Sequence, residues 1–549
     1  MPFRITLTSC LLVLLALPVG AHADALPATG NNCVQCHVAE QSGFNVAHSF
    51  GANDCVACHD GNAAGQTEQT AHTGLIAFPG NLTNAVRACG VCHAERVDGV
   101  TNNLMHTGHG IVVTTRNALD DETGADVAAN LQSLGHGVAD SLLRKQCASC
   151  HLGQPKTKHA IDVTLDRGGG CLACHINDYP QSGHPALTTR VDDGRCFGCH
   201  SRSGRISLSY AGLAEADVAA TTAPNSILKL ADGRTVQRLP ADVHYRAGMS
   251  CVDCHTSAGL MGAAGAAGHQ RQAGDISCSD CHDNKTAQVT FAGWPSLLGS
   301  MKKHVPFAAG DKTRFLTTAE RRTPLWHIEV RNDDDALLHS KITNRQLRIP
   351  PLDKKTPGHD VQHQRLTCAA CHSQWAPQCF GCHMEYEASG EQWDHIDRKP
   401  TAGRWSDKRW HVDNALPALG VNERGEIEAF VPGMIMTISH PAYDASKFVR
   451  QFAPLSPHTT GPARSCESCH RSSRALGLGD GQLSFDIGDL RFSPANELLQ
   501  DGLPADAWSD IGNSLGGRTP VQGQRPLNES EMKKILEVDL SFGAPGDER

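Results

Sequence analysis

The sequence predicts a mainly α and irregular fold of short helices and loops, with some β-hairpin structure in the C-terminal half. Three observations predict it. One short cysteine motif recurs eleven times along 549 residues. Aromatic residues make up only 5% of the chain against 53 glycines, so few large side chains exist to fill a core of the size this length calls for. The aromatics are also unevenly divided. Residues 24–290 hold four Phe, three Tyr and no Trp, whereas residues 291–549 hold ten Phe, two Tyr and all seven Trp. The first half must take its apolar bulk from something other than its own side chains.

Residues 1–23 read as a secretory signal. Arg4 supplies a short positive start, residues 5–20 form an apolar run, and Ala21-His22-Ala23 offers a small-x-small cleavage site, so the mature chain is expected to begin at Asp24. Cys10 would leave with the signal. The run is shorter than the ~20 apolar residues that a membrane span needs, and no later segment approaches that length. The mature chain is therefore expected to carry no transmembrane span and to be soluble or peripheral to a membrane, in the periplasm or at the cell surface. The full chain has a formal charge of −9, which becomes −10 without Arg4, and no basic stripe is present, which excludes nucleic acid as a partner.

Every cysteine after Cys10 falls in the pattern Cys-x-x-Cys-His. In the first region the motifs are Cys33, Cys36 and His37; Cys55, Cys58 and His59; Cys89, Cys92 and His93; and Cys147, Cys150 and His151. Cys171, Cys174 and His175, then Cys196, Cys199 and His200, then Cys251, Cys254 and His255, then Cys278, Cys281 and His282 complete that stretch. Three more follow: Cys368, Cys371 and His372; Cys379, Cys382 and His383; and Cys466, Cys469 and His470. The cysteine fraction squared, times the histidine fraction, times the chain length gives about 0.05 such motifs by chance, and the motif is the attachment signature of haem c. Two thiols add to the two haem vinyl groups, and the next imidazole becomes the proximal ligand of iron. A disulfide scaffold or a set of zinc knuckles would not require a histidine after every pair. The expected cofactor is eleven covalently attached haems, whose buried porphyrin plates supply the missing bulk and make the first half a haem-packed core.

The chain has 30 histidines, more than eleven proximal and eleven distal ligands require. Eight sit a short loop ahead of a motif: His48, His136, His159, His184, His244, His269, His363 and His458 precede the next motif by five to twelve residues. They are the predicted distal ligands. His72, His106 and His109, and after them His304, His327, His339, His359, His395, His411 and His440, are the further candidates. Methionines are few, so low-potential bis-histidine haems are expected.

Motif spacing divides the mature chain into residues 24–290 with eight motifs, a haem-free segment 291–365, a tight pair of motifs at 366–395, and a C-terminal region 396–549 with the eleventh. In the second half, Asn422-Glu423-Arg424 followed by the alternating stretch 425–431 predicts a hairpin. Asn528 with Glu531 predicts a capping box opening a helix near 529–538. Asn332-Asp333-Asp334-Asp335 reads as an acidic turn.

On these motifs, which cover residues 33–470, the sequence resembles the multihaem c-type cytochromes. The resemblance implies an exported electron carrier that passes electrons between other redox proteins, or docks on a membrane complex, in anaerobic respiration. The alternative is a multihaem oxidoreductase with one open-site haem acting on a small nitrogen or sulfur compound. No Cys-x-x-Cys-Lys motif occurs, and no residue is singled out as catalytic. Tyr179, Tyr210 and Tyr245 lie between motifs, and Arg404, Lys408, Arg409 and His411 form a basic cluster around Trp405 and Trp410 that could attract an anion.

Overall fold

The structure is a computed structural model that describes residues 32–38, 48, 54–119, 129–158, 162–177, 184–201, 207–216, 227–262, 268–283, 287–294, 296–356, 358–359, 361–408, 411–486, 489–514 and 523–540. The predicted signal with Cys10, and His159, Tyr179, Arg409 and Trp410, lie outside the described residues. Among the described residues no helix is long and apolar enough to cross a membrane.

Ten of the eleven motifs fold as a helical turn. Cys33–Cys36, Leu172–His175, Gly194–His200, Cys251–Cys254, Cys278–His282 and Cys368–His372 are typical, and the motif at 147–151 runs through a π turn and a 3-10 turn. In such a turn residues i, i+3 and i+4 share one face, so both thiols and the imidazole converge. Turns this short are marginal in water, and they need outside support. Two of them receive it from Ser-Cys-x-Asp-Cys-His capping boxes, Ser250 with Asp253 and Ser277 with Asp280. The longest helix here, Gly90–Thr101, is kinked at the motif residue His93.

Sheet is more extensive than the sequence predicts: helix accounts for 29% and strand for 25%, so the fold is mixed rather than mainly α. The haem-free segment forms most of a five-stranded antiparallel meander, Gln288–Thr290, Arg314–Thr317, Pro324–Asn332, Asp335–His339 and Gln346–Ile349. The acidic stretch 332–335 is the turn between two of these strands, with Asp333 paired to Arg314 at 3.0 Å. A six-stranded sheet follows in the order Lys399–Asp407, Cys382–Asp394, Ile427–Ser439, Ala418–Val421 and Arg525–Pro526, with Lys447–Pro454 also paired to Ile427–Ser439. The 422–425 turn lies where the sequence predicts it, and Gly425 takes the φ of +80° that the turn needs. The capping box of Asn528 and Glu531 opens the helix Glu529–Leu536. The underestimate of sheet has a physical reason. Cys382–Asp394 begins inside a Cys-x-x-Cys-His motif, which the sequence reads as a helical turn, and its strand partners come from remote segments.

Most of the apolar core sits where the aromatics are, and two smaller clusters, around Leu131 and around Leu82, lie in the first half. Trp508 is fully buried, stacked on Phe452 at 5.2 Å and against Phe430 at 4.5 Å. The two halves meet at the fourth motif. The helix Val138–Leu142 packs on Met384, Trp405, Ile438 and Val449 of the sheet. Arg144, 3% exposed, reaches Asp394 at 2.7 Å and also pairs with Asp397. Lys145 donates to the carbonyls of Thr401, Ala402 and Gly403.

Candidate metal centres

Eight of the eleven motif imidazoles are brought face to face with others from elsewhere in the chain, whereas among the described residues His175, His200 and His383 face no second imidazole. Two imidazoles that ligate one iron, each through a nitrogen about 2 Å away, hold their ring centroids about 6 Å apart. His37 faces His72 at 6.0 Å, His59 faces His184 at 6.0 Å, and His93 faces His48 at 6.3 Å. His255 faces His458 at 6.2 Å and His282 faces His244 at 6.2 Å. His372 faces His359 at 6.1 Å and His470 faces His363 at 6.3 Å. His151 and His106 are closer, at 5.4 Å, and the Gln132 amide nitrogen lies 2.9 and 2.6 Å from their Nε2 atoms, in the gap itself. In every pair one ring belongs to a motif and the other does not.

The rings are also oriented for ligation. Nδ1 of His59, His106, His184, His282, His359, His372, His458 and His470 donates to a backbone carbonyl at 2.6–3.0 Å, and Nδ1 of His244 donates to Asp242 at 2.9 Å. A donated Nδ1 proton fixes the tautomer that leaves the Nε2 lone pair free, as metal-bound histidines require. Burial, followed by a neighbouring histidine, lowers His151 and His255 to about 4, so both rings are neutral at pH 7. These features fit haem c. All 22 motif cysteines are unbridged, and among the described residues no group of three or more His, Cys, Asp or Glu side chains is gathered to hold a bare metal ion.

Five of the eight predicted distal histidines, His48, His184, His244, His363 and His458, stand in such pairs. His136 lies exposed in a loop, and His269 caps the helix Gln270–Ala273 by accepting from Arg271. His72, His106 and His359, only further candidates from the sequence, are in pairs as well. His72 and His106 each follow a motif histidine by thirteen residues, a regularity the sequence offered. His109 donates Nδ1 to Ala129 at 2.7 Å in the same manner. Three of the remaining candidates have other neighbours. His327 is buried with Nε2 on the Asp253 carbonyl, His411 stacks on Phe380, and His440 packs on Tyr386 and Trp405. Arg404 and Lys408 of the basic cluster pair with Glu387 and Glu385 across the hairpin, which leaves little charge for an anion.

The thiols form a connected series. Cys33 contacts Cys55, Cys89 contacts Cys171, Cys196 contacts Cys251, and Cys278 contacts Cys368. Cys58 neighbours Cys89, Cys174 neighbours Cys196, Cys254 neighbours Cys281, and Cys371 neighbours Cys466. Cys199 contacts Cys150 and so joins the fourth motif to the sixth. The ninth and tenth motifs, adjacent in sequence, diverge here: Cys368 and Cys371 turn toward the eighth and eleventh motifs, while Cys382 has Asp407 and Cys379 as its charged neighbours.

A family model described as cytochrome c7 and related cytochrome c matches residues 237–305, which contain the seventh and eighth motifs. No curated protein and no solved structure matches the chain. The match covers both Ser-Cys-x-Asp-Cys-His turns and the His244–His282 pair, and it supports a multihaem electron-transfer cytochrome with covalently bound haem c.

Proposed function

We propose that this chain is an exported electron conduit that holds eleven haems, most of them between two histidines, and passes electrons between redox partners outside the cytoplasm. The observation that carries this reading is the set of eight imidazole pairs, each one motif ring and one other ring at 5.4–6.3 Å. A haem supplies reversible one-electron chemistry at its iron; two histidines fill both axial positions and leave electron transfer as the iron's task. The thiol contacts support an order. Taking the motifs in sequence as first to eleventh, the line runs first, second, third, fifth, sixth, seventh, eighth, ninth, eleventh, with the fourth attached to the sixth. Five of these links are thiol contacts and four are thiols near enough to influence one another; tunnelling falls steeply with the gap between cofactors, and haems anchored at neighbouring cysteines lie near one another.

Pyridine haemochrome counting and low-temperature EPR of the purified, oxidised protein test the reading. The expected result is eleven haems with low-spin signals dominating. A count near zero, or mostly high-spin iron, overturns it.

A further inference from the structure

Three basic side chains stand where one motif turn meets the next in the thiol series. Arg464 is the clearest. Its amide donates to the Cys371 carbonyl at 2.9 Å, and its guanidinium donates to the Ser468 carbonyl at 2.8 Å and the Ala370 carbonyl at 3.4 Å, so one residue spans the ninth and eleventh motifs. The Cys469 and Cys371 thiols are the ionisable groups that act on it, and among the described residues no carboxylate pairs with it. Lys341 repeats the arrangement between the seventh and eighth motifs. Its Nζ donates to the Val252 carbonyl, its amide donates to Asp253 at 2.7 Å, and the Cys254 and Cys281 thiols both act on its charge. Arg167 stands between the fourth and sixth, donating to the Gly198 carbonyl and to the Ser149 hydroxyl at 3.4 Å, beside Cys199.

The groups that receive the Arg464 guanidinium are backbone carbonyls, which carry no net charge, and a guanidinium stays protonated throughout the pH range in which proteins fold. Once both cysteine sulfurs are thioethers they hold no charge either, and no side chain among the described residues offsets the cation. Both turns beside it are built to hold haem. Cys368–His372 and Glu467–His470 are helical, His372 faces His359, and His470 faces His363. A ferric haem becomes ferrous by taking one electron from a redox partner or an electrode, and its net charge falls by one. A cation fixed beside the attached cysteines therefore stabilises the reduced form, and more strongly in a half-buried site than in water.

We propose that Arg464, Lys341 and Arg167 are potential-setting cations, each raising the reduction potentials of the two haems it lies between, so that electrons on the conduit settle at these junctions rather than spread evenly along the line. The inference rests on the reading that these motifs carry haems. Purified holoprotein, with haem attachment at each motif mapped by peptide mass, would be titrated in an optically transparent electrode cell beside Arg464→Met and Arg464→Lys. Haem count and low-spin EPR signals should be unchanged in both variants. Arg464→Met should move two haems' share of the titration curve to lower potential, each by about tenfold in its reduction equilibrium, or about 59 mV for one electron. Arg464→Lys should follow the wild-type curve. A methionine variant that titrates as wild type does, or a lysine variant that shifts as far as the methionine one, overturns the proposal and leaves the conduit reading standing. Wild-type peptides spanning 368–372 or 466–470 without haem overturn both the proposal and the eleven-haem reading. Should Arg464→Met fail to assemble, Lys341→Met against Lys341→Arg decides by the same two curves.

Discussion

Replacing Arg144 with methionine probes the junction of the motif-rich half with the sheet. The guanidinium is buried; it donates to Asp394 at 2.7 Å and to the Leu134 carbonyl at 2.9 Å, and it pairs with Asp397. Asp394 is 1% exposed, and its other oxygen accepts from Ile396 and Asp397 at 2.9 Å. Removing one partner of a buried pair costs about 3–5 kcal/mol, because the remaining charge is left uncompensated. The two retained backbone donors place the expected cost of Arg144→Met near the lower end, about 3 kcal/mol. The pH dependence fixes the sign. Burial raises the Asp394 carboxyl, but Arg144 and the backbone donors outweigh it and hold it below its ordinary value of 3.8. Its contribution is therefore present above that value and disappears as pH falls through the lowered one. Denaturant unfolding of wild type and variant should show the full deficit at pH 7 and a shrinking one below pH 4. A deficit under about 1 kcal/mol at pH 7, or one that grows in acid, would refute the argument.

Three further outcomes are expected. His458→Ala removes the ring 6.2 Å from His255, and should convert one haem from low to high spin in EPR at an unchanged haem count. Glu531 is lowered to about 2: burial raises it, and Arg525, the Asn528 amide and Arg365 more than offset that. The stability it contributes is present above 4.5 and lost as pH falls toward 2, so Glu531→Gln should cost about 1–2 kcal/mol at pH 7 and little at pH 2 by denaturant unfolding. Trp508→Ala empties the centre of the Phe430–Phe452 stack and should cost about 3–5 kcal/mol by the same measurement; the ring also occupies the space against Gly420, where a Cβ would lie 2.2 Å from it.

By itself the sequence determined the chemistry. Eleven repeats of two thiols and an imidazole specify haem c, because attachment needs only residues at i, i+3 and i+4, a spacing that any helical turn satisfies. The aromatic division placed most of the conventional core in the second half, and the capping box at Asn528 and the turn at Asn422 were legible because both depend on residues within a few positions. Tertiary structure decided which rings meet. His184 faces His59 across 125 positions, and His458 faces His255 across 203, pairings that no local spacing encodes. It also decided the conformation of Cys379–His383. Its sequence is like the other motifs, yet strand partners at 411–413 and 427–439 draw it out of the helical turn, since backbone hydrogen bonds supplied by remote strands override the propensity of a five-residue segment.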